Sequence, residues 1–314
     1  MRRIAVLAVL VFTACGGDGD SALAPASTTP STTAPPSTST SLTSTTAAAL
    51  EPLDLAISIH AEGFDDRNPA VYPRHLEALE LVASEAERAG VTLTFELSLP
   101  FAEGARAADD GWVAGLPARG HSVGVHADLG FPALPPGRFE RRLADHKALV
   151  EDLLGASVSH VSGVCSEAPW VEPVAGAGFE AATGMVEFCL KSLDEPPPEA
   201  VACRTPADCH DWVPSDLARA LHPWRTGTSA DWLTPDPAGD LWLIPSREMP
   251  TEPDELSAIV AEHLAAREPG RTNSLVFAWS IGSPPRPGLM TELAAAVVDV
   301  ADSVRWVAVP ELAR

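Results

Sequence analysis

Basic side chains are scarce in this chain. Across 314 residues, 21 lysines and arginines stand against 43 aspartates and glutamates, a formal charge of -22, and lysine occurs only as Lys147 and Lys191. A surface of that sign repels nucleic acid and removes it from the expected partners, while saying little about a neutral ligand such as a glycan. The one N-terminal apolar run, Ile4 to Phe12, is too short to span a bilayer. No C-x-x-C spacing is present, which argues against a thiolate zinc site. No G-x-G-x-x-G follows the first expected strand, which argues against a dinucleotide-binding fold. Tyrosine occurs once, against eight tryptophans, and no internal repeat is visible.

What is present begins with a leader. Met1-Arg2-Arg3, the apolar run and Thr13-Ala14-Cys15 form a charged region, a short hydrophobic region and a small-residue cleavage site. Phe12-Thr13-Ala14-Cys15 resembles a bacterial lipobox, with Cys15 as the lipidated residue, and an ordinary secretory signal is the alternative. Residues 16–52 are dominated by Ser, Thr, Ala and Pro, with hardly a large apolar side chain to bury, and are expected to be a disordered tether. The expected organisation is a signal segment over 1–15, the tether over 16–52 and one globular domain over 53–314. The protein is expected on the outer face of the cell membrane, held there by the lipid anchor alone. Four further cysteines, Cys165, Cys189, Cys203 and Cys209, form an even set that an oxidising compartment would turn into two disulfides. Cys203 with Cys209 would close a small loop and leave Cys165 with Cys189, although three connectivities are formally possible.

The domain reads as alternating strands and helices. Strands are predicted at 53–60, 91–98, 121–126, 158–165, 179–186, 240–245, 274–281 and 304–310, and helices at 72–89, 138–154, 254–267 and 288–301. Seven or eight such units imply a parallel sheet closed into a (β/α)7-8 barrel, with an open doubly wound sheet as the rival. The Pro-rich stretch 191–238 fits no unit and is expected to be an irregular, disulfide-bearing insertion over the barrel mouth.

In a parallel barrel the site lies at the carboxyl ends of the strands. The polar residues expected there are His60, Glu62, Glu96, His126, Asp128, Ser162, Ser166, Ser246, Trp279 and Ser280. Imidazole and carboxylate groups converging at one mouth can hold a divalent metal or act as acid and base. Among the aromatics, Trp170, Trp212, Trp224, Trp232 and Trp242 can stack on sugar faces as well as fill a core. The cluster His222-Pro223-Trp224-Arg225 is the best candidate for ligand contact, because Arg225 can bind a carboxylate or a sugar hydroxyl.

Gly120-His121-Ser122-Val123-Gly124-Val125-His126 resembles the strand-three pattern G-H-x-[IV]-G-x-H of the polysaccharide deacetylases, carbohydrate esterase family 4 with nodulation-protein-B homology. That family belongs to the glycoside hydrolase/deacetylase β/α-barrel superfamily. The resemblance carries His126 over as a metal ligand. Ala56-Ile57-Ser58-Ile59-His60-Ala61-Glu62-Gly63 is similar to the family's first strand ending in Asp-Asp-Gly, which puts Glu62 at the metal-binding position and Ala61 at the base position. A shifted register would place Asp65-Asp66 on that pair instead. Ser162-Gly163-Val164-Cys165-Ser166, followed by Ala177-Gly178-Phe179, sits where the family has its arginine loop, without the arginine. Gly130 stands where the family has a second metal histidine, and Phe277-Ala278-Trp279-Ser280 replaces its late Leu-x-x-His.

The resemblance therefore implies a metal-dependent deacetylase acting on a glycan. Its metal, expected to be zinc, would sit in a rebuilt shell of His60, Glu62 and His126, and Glu62, Glu96 and Asp128 are the candidate catalytic carboxylates. His222, Trp224, Arg225 and Trp279 are the candidate substrate contacts. Two other readings stand beside it: an inactive barrel that binds cell-wall carbohydrate, and a glycosidase using Glu62 and Glu96 as its acid and base, which need about 5–10 Å between them.

Overall fold

The computed structural model describes residues 50–205, 209, 216–281 and 286–314. Cys15 and the signal segment, the tether up to residue 49 and Trp212 lie outside the described residues.

Ten strands form the sheet: β1 (Leu53–Ala61), β2 (Leu93–Ser98), β3 (Ser122–His126), β4 (His160–Ser162), β5 (Ala181–Ala182), β6 (Trp224–Thr226), β7 (Leu241–Leu243), β8 (Ser246–Glu248), β9 (Asn273–Ser280) and β10 (Val304–Trp306). The order β5-β4-β3-β2-β1-β9-β8 is parallel throughout. The segment 241–248 closes the ring, because β7 pairs with β5 through Ala181↔Trp242 and β8 then pairs with β9 through Ser246↔Val276. That closure makes a barrel and excludes the open doubly wound sheet. Around it pack α1 (Tyr72–Ala89), α2 (Leu99–Ala108), α3 (Trp112–Gly115), α4 (Pro136–Leu154), α5 (Val171–Gly176), α6 (Leu217–Ala220), α7 (Pro253–Ala265) and α8 (Leu289–Ala296). Among the described residues no helix is long and apolar enough to cross a membrane.

The alternation of β1 explains both cores. Leu53, Leu55, Ile57, Ile59 and Ala61 face the helices and join the main apolar core, while Asp54, Ala56, Ser58 and His60 point into the ring. A second, smaller core fills the barrel floor: Ala56, Ala181, Ile244 and Val276 meet Val307, Val309 and Leu312 of the segment after β10. This explains why the expected strand at 304–310 stops at Trp306. Val307 N–H donates to Leu55 O at 2.9 Å and Val309 N–H to Thr94 Oγ1 at 2.9 Å, so the chain turns under the barrel instead of continuing along it. Arg305 and Arg314 both pair with the buried Asp54, at 2.7 and 2.8 Å.

The insertion departs from expectation. Its first part reaches the mouth at Thr205, and the disulfides are Cys165–Cys189 and Cys203–Cys209. The part from Leu221 to Thr226 runs at the opposite end. Ser274 N–H donates to Leu221 O at 2.8 Å and His222 Nδ1 lies 2.9 Å from Thr272 O, both at the start of β9. β6 is antiparallel to β7. A hydroxyl holds this segment to α5: Ser229 Oγ accepts from Trp170 N–H and Val171 N–H, both at 2.7 Å, and donates to Glu172. Capping of this kind satisfies backbone donors that the helix start leaves without partners.

His146 of α4 is buried, and burial, helped by the charge of His126, pushes its imidazole down to about 4 from an ordinary 6.5. The unfolded chain therefore takes up this proton first as pH falls. Stability that is complete above pH 6.5 is lost on the way to pH 4, by about 3 kcal/mol at 1.36 kcal/mol per unit. Thermal denaturation against pH should show this slope in the parent chain and a flatter one in His146→Gln.

Candidate active site at the barrel mouth

Inward-facing residues of adjacent strands build the site. His60 ends the inward row of β1, Glu96 lies on β2 opposite it, His126 ends β3 and Ser162 ends β4, with His60↔Glu96 and His126↔Ser162 paired in register. The loop after β3 continues the ladder with β4 for two bonds, Ala127 N–H to Ser162 O at 2.9 Å and Leu129 N–H to Gly163 O at 3.3 Å. Asp128 is thereby held in a left-handed conformation (φ 50°) with its carboxylate turned back to His126.

His126 Nε2 lies 2.6 Å from Glu62 Oε2 and 3.1 Å from Asp128 Oδ1. The His60 and His126 rings are stacked with centroids 4.4 Å apart, and His60 Nδ1 is 3.7 Å from Glu62. These four residues line a cavity of about 600 Å³, together with Gly130, Phe131, Met185, Ser246 and Ala278 among others. Burial pushes the His126 imidazole down, but the Asp128 and Glu62 carboxylates outweigh it and raise it well above the ordinary value. His60 is likewise raised: burial and the charge of His126 oppose its protonation, and Glu96 and Glu62 prevail. Glu62 is held far below the usual carboxylate range, since hydrogen bonding and charge from His126 and His60 overcome its desolvation.

Glu96 stands beneath this layer and is fully buried. Ser58 and Ser162 donate their hydroxyl protons to it, Thr183 Oγ1 donates at 3.3 Å, and the Nε2 atoms of His60 and His160 lie at 3.0 and 3.3 Å. Desolvation opposes its charge, yet His160, His60 and Ser162 together keep the carboxyl below its ordinary range. Gly124 makes this packing possible: a Cβ there would come within 2.7 Å of His160 Nδ1 and 3.2 Å of Glu96 Cγ.

Of the residues expected from sequence, His60, Glu62, His126 and Asp128 converge on the cavity, with Ser246 and Ser280 on its wall. Glu96 does not line it, so the acid and base pairing of Glu62 with Glu96 loses its geometry. Trp279 faces the helices and packs on the main core, because the period of two points its neighbours Ala278 and Ser280 inward. Trp224 is buried and stacked on Trp232, with Nε1 donating to Trp232 O at 2.8 Å. Arg225 lies over the Trp242 ring, and the buried His222 sits 3.6 Å from Glu268 at the barrel floor. None of these three reaches the cavity. The shifted register fares no better, since Asp66 is buried and bound to His75 Nδ1 at 2.7 Å. Sequence reasoning missed Thr183 and Phe131. Thr183 gives no local signal, whereas Phe131, in a loop five residues past the end of β3, is the kind of exposed aromatic that a strand-end search should include.

Two carboxylates and an imidazole whose donor atoms all lie within 4.8 Å of one another suit a divalent cation. His126 Nε2 is buried and lies between two carboxylate oxygens, at 2.6 and 3.1 Å, so one imidazole nitrogen and two acidic oxygens converge at a single point of the cavity. The alternative grouping of His60, Glu96 and His126 is poorer, because Glu96 already accepts from three hydroxyls.

No protein-family model matches the chain, and no curated protein does. Solved structures do match in shape. The 4-alpha-glucanotransferase from Thermococcus litoralis aligns with TM-score 0.56 and 15% identity over 83% of this chain, which spans 40% of that protein's length. A putative polysaccharide deacetylase from Mycobacterium smegmatis aligns with TM-score 0.53 and 13% identity, covering 84% of this chain and 90% of that one. The PuuE allantoinase aligns with TM-score 0.52 and 10% identity, covering 83% and 89%. At such identities the likeness establishes architecture, and the architecture of this chain is the deacetylase-type β/α barrel.

Proposed function

We propose that this protein is a metal-dependent hydrolase that removes acetyl groups from a glycan. The observation that carries the reading is the convergence of Glu62, His126 and Asp128 on one cavity at the carboxyl end of the barrel, with the buried His126 Nε2 set between the two carboxylate oxygens at 2.6 and 3.1 Å. These three would hold the cation, zinc being the best fit to nitrogen and carboxylate donors. A bound divalent ion supplies Lewis acidity toward an acyl oxygen or a water. His60 lies beside His126, holds its proton more tightly than an ordinary imidazole, and is placed to deliver it to a leaving nitrogen or oxygen. We further propose that the chain is exported and anchored through Cys15. The two disulfides support an oxidising compartment.

Acetate release from N-acetylated oligosaccharides, measured with zinc, manganese or cobalt supplied, tests the reading. Turnover should depend on the ion and fall by about 10²-fold or more in His60→Ala. Absence of both ion uptake and acetate release would overturn it.

Phe131 supplies the sugar contact that the tryptophans do not. It is 47% exposed at the mouth and rests edge-on against Phe188 at 6.0 Å. Phe131→Ala should weaken oligosaccharide binding about tenfold, or about 1.4 kcal/mol, as read by calorimetry, while Phe131→Tyr keeps it.

A second reading, binding without turnover, is favoured by Ala61 at the base position and by the lack of room for a side chain at residue 130. A Cβ on Gly130 would lie 1.5 Å from Cys165 O. Saccharide binding with ion uptake and no acetate release would select it.

A further inference from the structure

We infer that Ser246 is a substrate-binding residue whose hydroxyl donates to the carbonyl oxygen of an acyl substituent entering the cavity. Three of the inward hydroxyls, those of Ser58, Ser162 and Thr183, give their protons to Glu96, and none of the three lines the cavity. Ser246 differs on both counts. It lines the cavity, and its oxygen accepts from Gly184 N–H at 3.0 Å, while among the described residues its own hydrogen meets no acceptor. A serine hydroxyl has one hydrogen to donate, and a side chain only 6% exposed cannot leave it unmatched without cost. The bond from Gly184 holds the oxygen from the wall side and leaves the hydrogen for whatever occupies the cavity.

The height of Ser246 in the barrel selects the ligand group. Ile244, two residues before it, belongs to the floor core, and Glu248, two residues after it, stands exposed at the rim, so Ser246 sits at the bottom of the cavity. Val276, its partner on β9, is also a floor residue, and Ala278, the next inward residue of that strand, adds only a methyl group to the wall. A sugar ring held at the mouth beside Phe131 sends its substituents toward this depth. An acyl group reaches farther than a hydroxyl and brings a neutral oxygen acceptor, and a few placed donors of this kind are what orient a ligand in a largely apolar pocket. The acyl ligand is taken from the deacetylase reading, but neither the ion nor His60 enters this contact.

Calorimetric titration with tetra-N-acetylchitotetraose, and with cellotetraose as the same backbone without acetamido groups, tests the contact in the parent chain, Ser246→Ala and Ser246→Thr. Ion-free protein keeps the ligand intact during the titration. The parent should bind the acetylated tetramer more tightly than the plain one. Ser246→Ala should bind the acetylated tetramer about tenfold more weakly, the effect of one hydrogen bond, with its affinity for cellotetraose unchanged. Ser246→Thr, which keeps the hydroxyl, should retain the parent's preference. A parent that binds both tetramers equally, or neither, overturns the inference. So does an alanine variant that loses affinity for both alike, or for neither. Acetate release that persists beside such a result leaves the hydrolase reading standing and removes Ser246 from it. Acetylated-ligand binding that depends on Ser246, in a chain that takes up no ion and releases no acetate, supports the Ser246 contact and refutes the hydrolase. Should Ser246→Ala fail to fold, the parent's preference and its retention in Ser246→Thr decide.

Discussion

His126→Ala is expected to abolish measurable binding of a divalent ion by the purified chain. Its loss of affinity should exceed the about 10–100-fold that substitution of an outer-shell residue causes. The variant removes the only nitrogen in the group formed with Glu62 and Asp128 and leaves two carboxylates within 4.8 Å of one another. Glu62→Gln and Asp128→Asn keep shape and remove charge, so each should weaken binding while preserving the fold. Asp128→Asn should weaken it less, because its side chain is 64% exposed against 22% for Glu62, and exposed charges act through more water. Elemental analysis of the three proteins, prepared side by side, provides the comparison. An alanine variant that retains the full complement of ion would remove His126 from the shell.

Gly130→His should cost the fold about 3 kcal/mol or more and bring no gain in affinity for an ion, although it places a histidine where the polysaccharide deacetylases that the sequence resembles have a second metal histidine. The obstacle is backbone: a Cβ would fall 1.5 Å from Cys165 O and 2.6 Å from its carbonyl carbon, and no rotamer relieves a contact made by the first side-chain atom. Gly130→Ala should therefore be nearly as damaging as histidine. At roughly 2–4 °C per kcal/mol for a domain of about this size, melting should fall by about 10 °C in either variant. A Gly130→His protein as stable as its parent would show that the loop can move away from Cys165 and leave room for a side chain at residue 130.

The barrel was legible where burial imposes a period. In β1 and β9 the inward and outward rows alternate cleanly, and the glycine and histidine pattern at 120–126 pointed to His126. Legibility failed where contacts between distant segments decide. Trp224 and His222 sit in an irregular stretch that reads as a ligand loop, but Leu221 bonded to Ser274 carries that stretch to the barrel floor. Trp279 sits at a strand end, and only the register with Ile59 shows that its ring faces the helices. Glu96 carries a signal of its own: a carboxylate between Phe95 and Leu97 in a fully buried strand marks a group satisfied from within, before it marks a catalyst. The hydroxyls of Ser58 in β1, Ser162 in β4 and Thr183 just past β5 that satisfy it are far apart in the chain, so no spacing in the sequence announces them.

The ring closes late. β1 is bordered by β9 on one side and by β2 and, beside its first residues, β10 on the other, with Leu53 paired to Asn273 on one side and to Val304 on the other. As the chain emerges in order, the first strand has one neighbour early and waits for nearly the whole domain before it gains the rest. Until then the inward row of β1, Asp54 and His60 included, faces an unfinished wall, and the parallel edge is open to mispairing. The four segments that bring Glu62, Glu96, His126 and Ser162 together are all made before residue 163, yet the floor beneath them is laid by residues 304–312. Refolding followed by time-resolved hydrogen exchange should therefore find the amides of β2 and β3 protected before those of β9, with the cavity competent only once the last are protected.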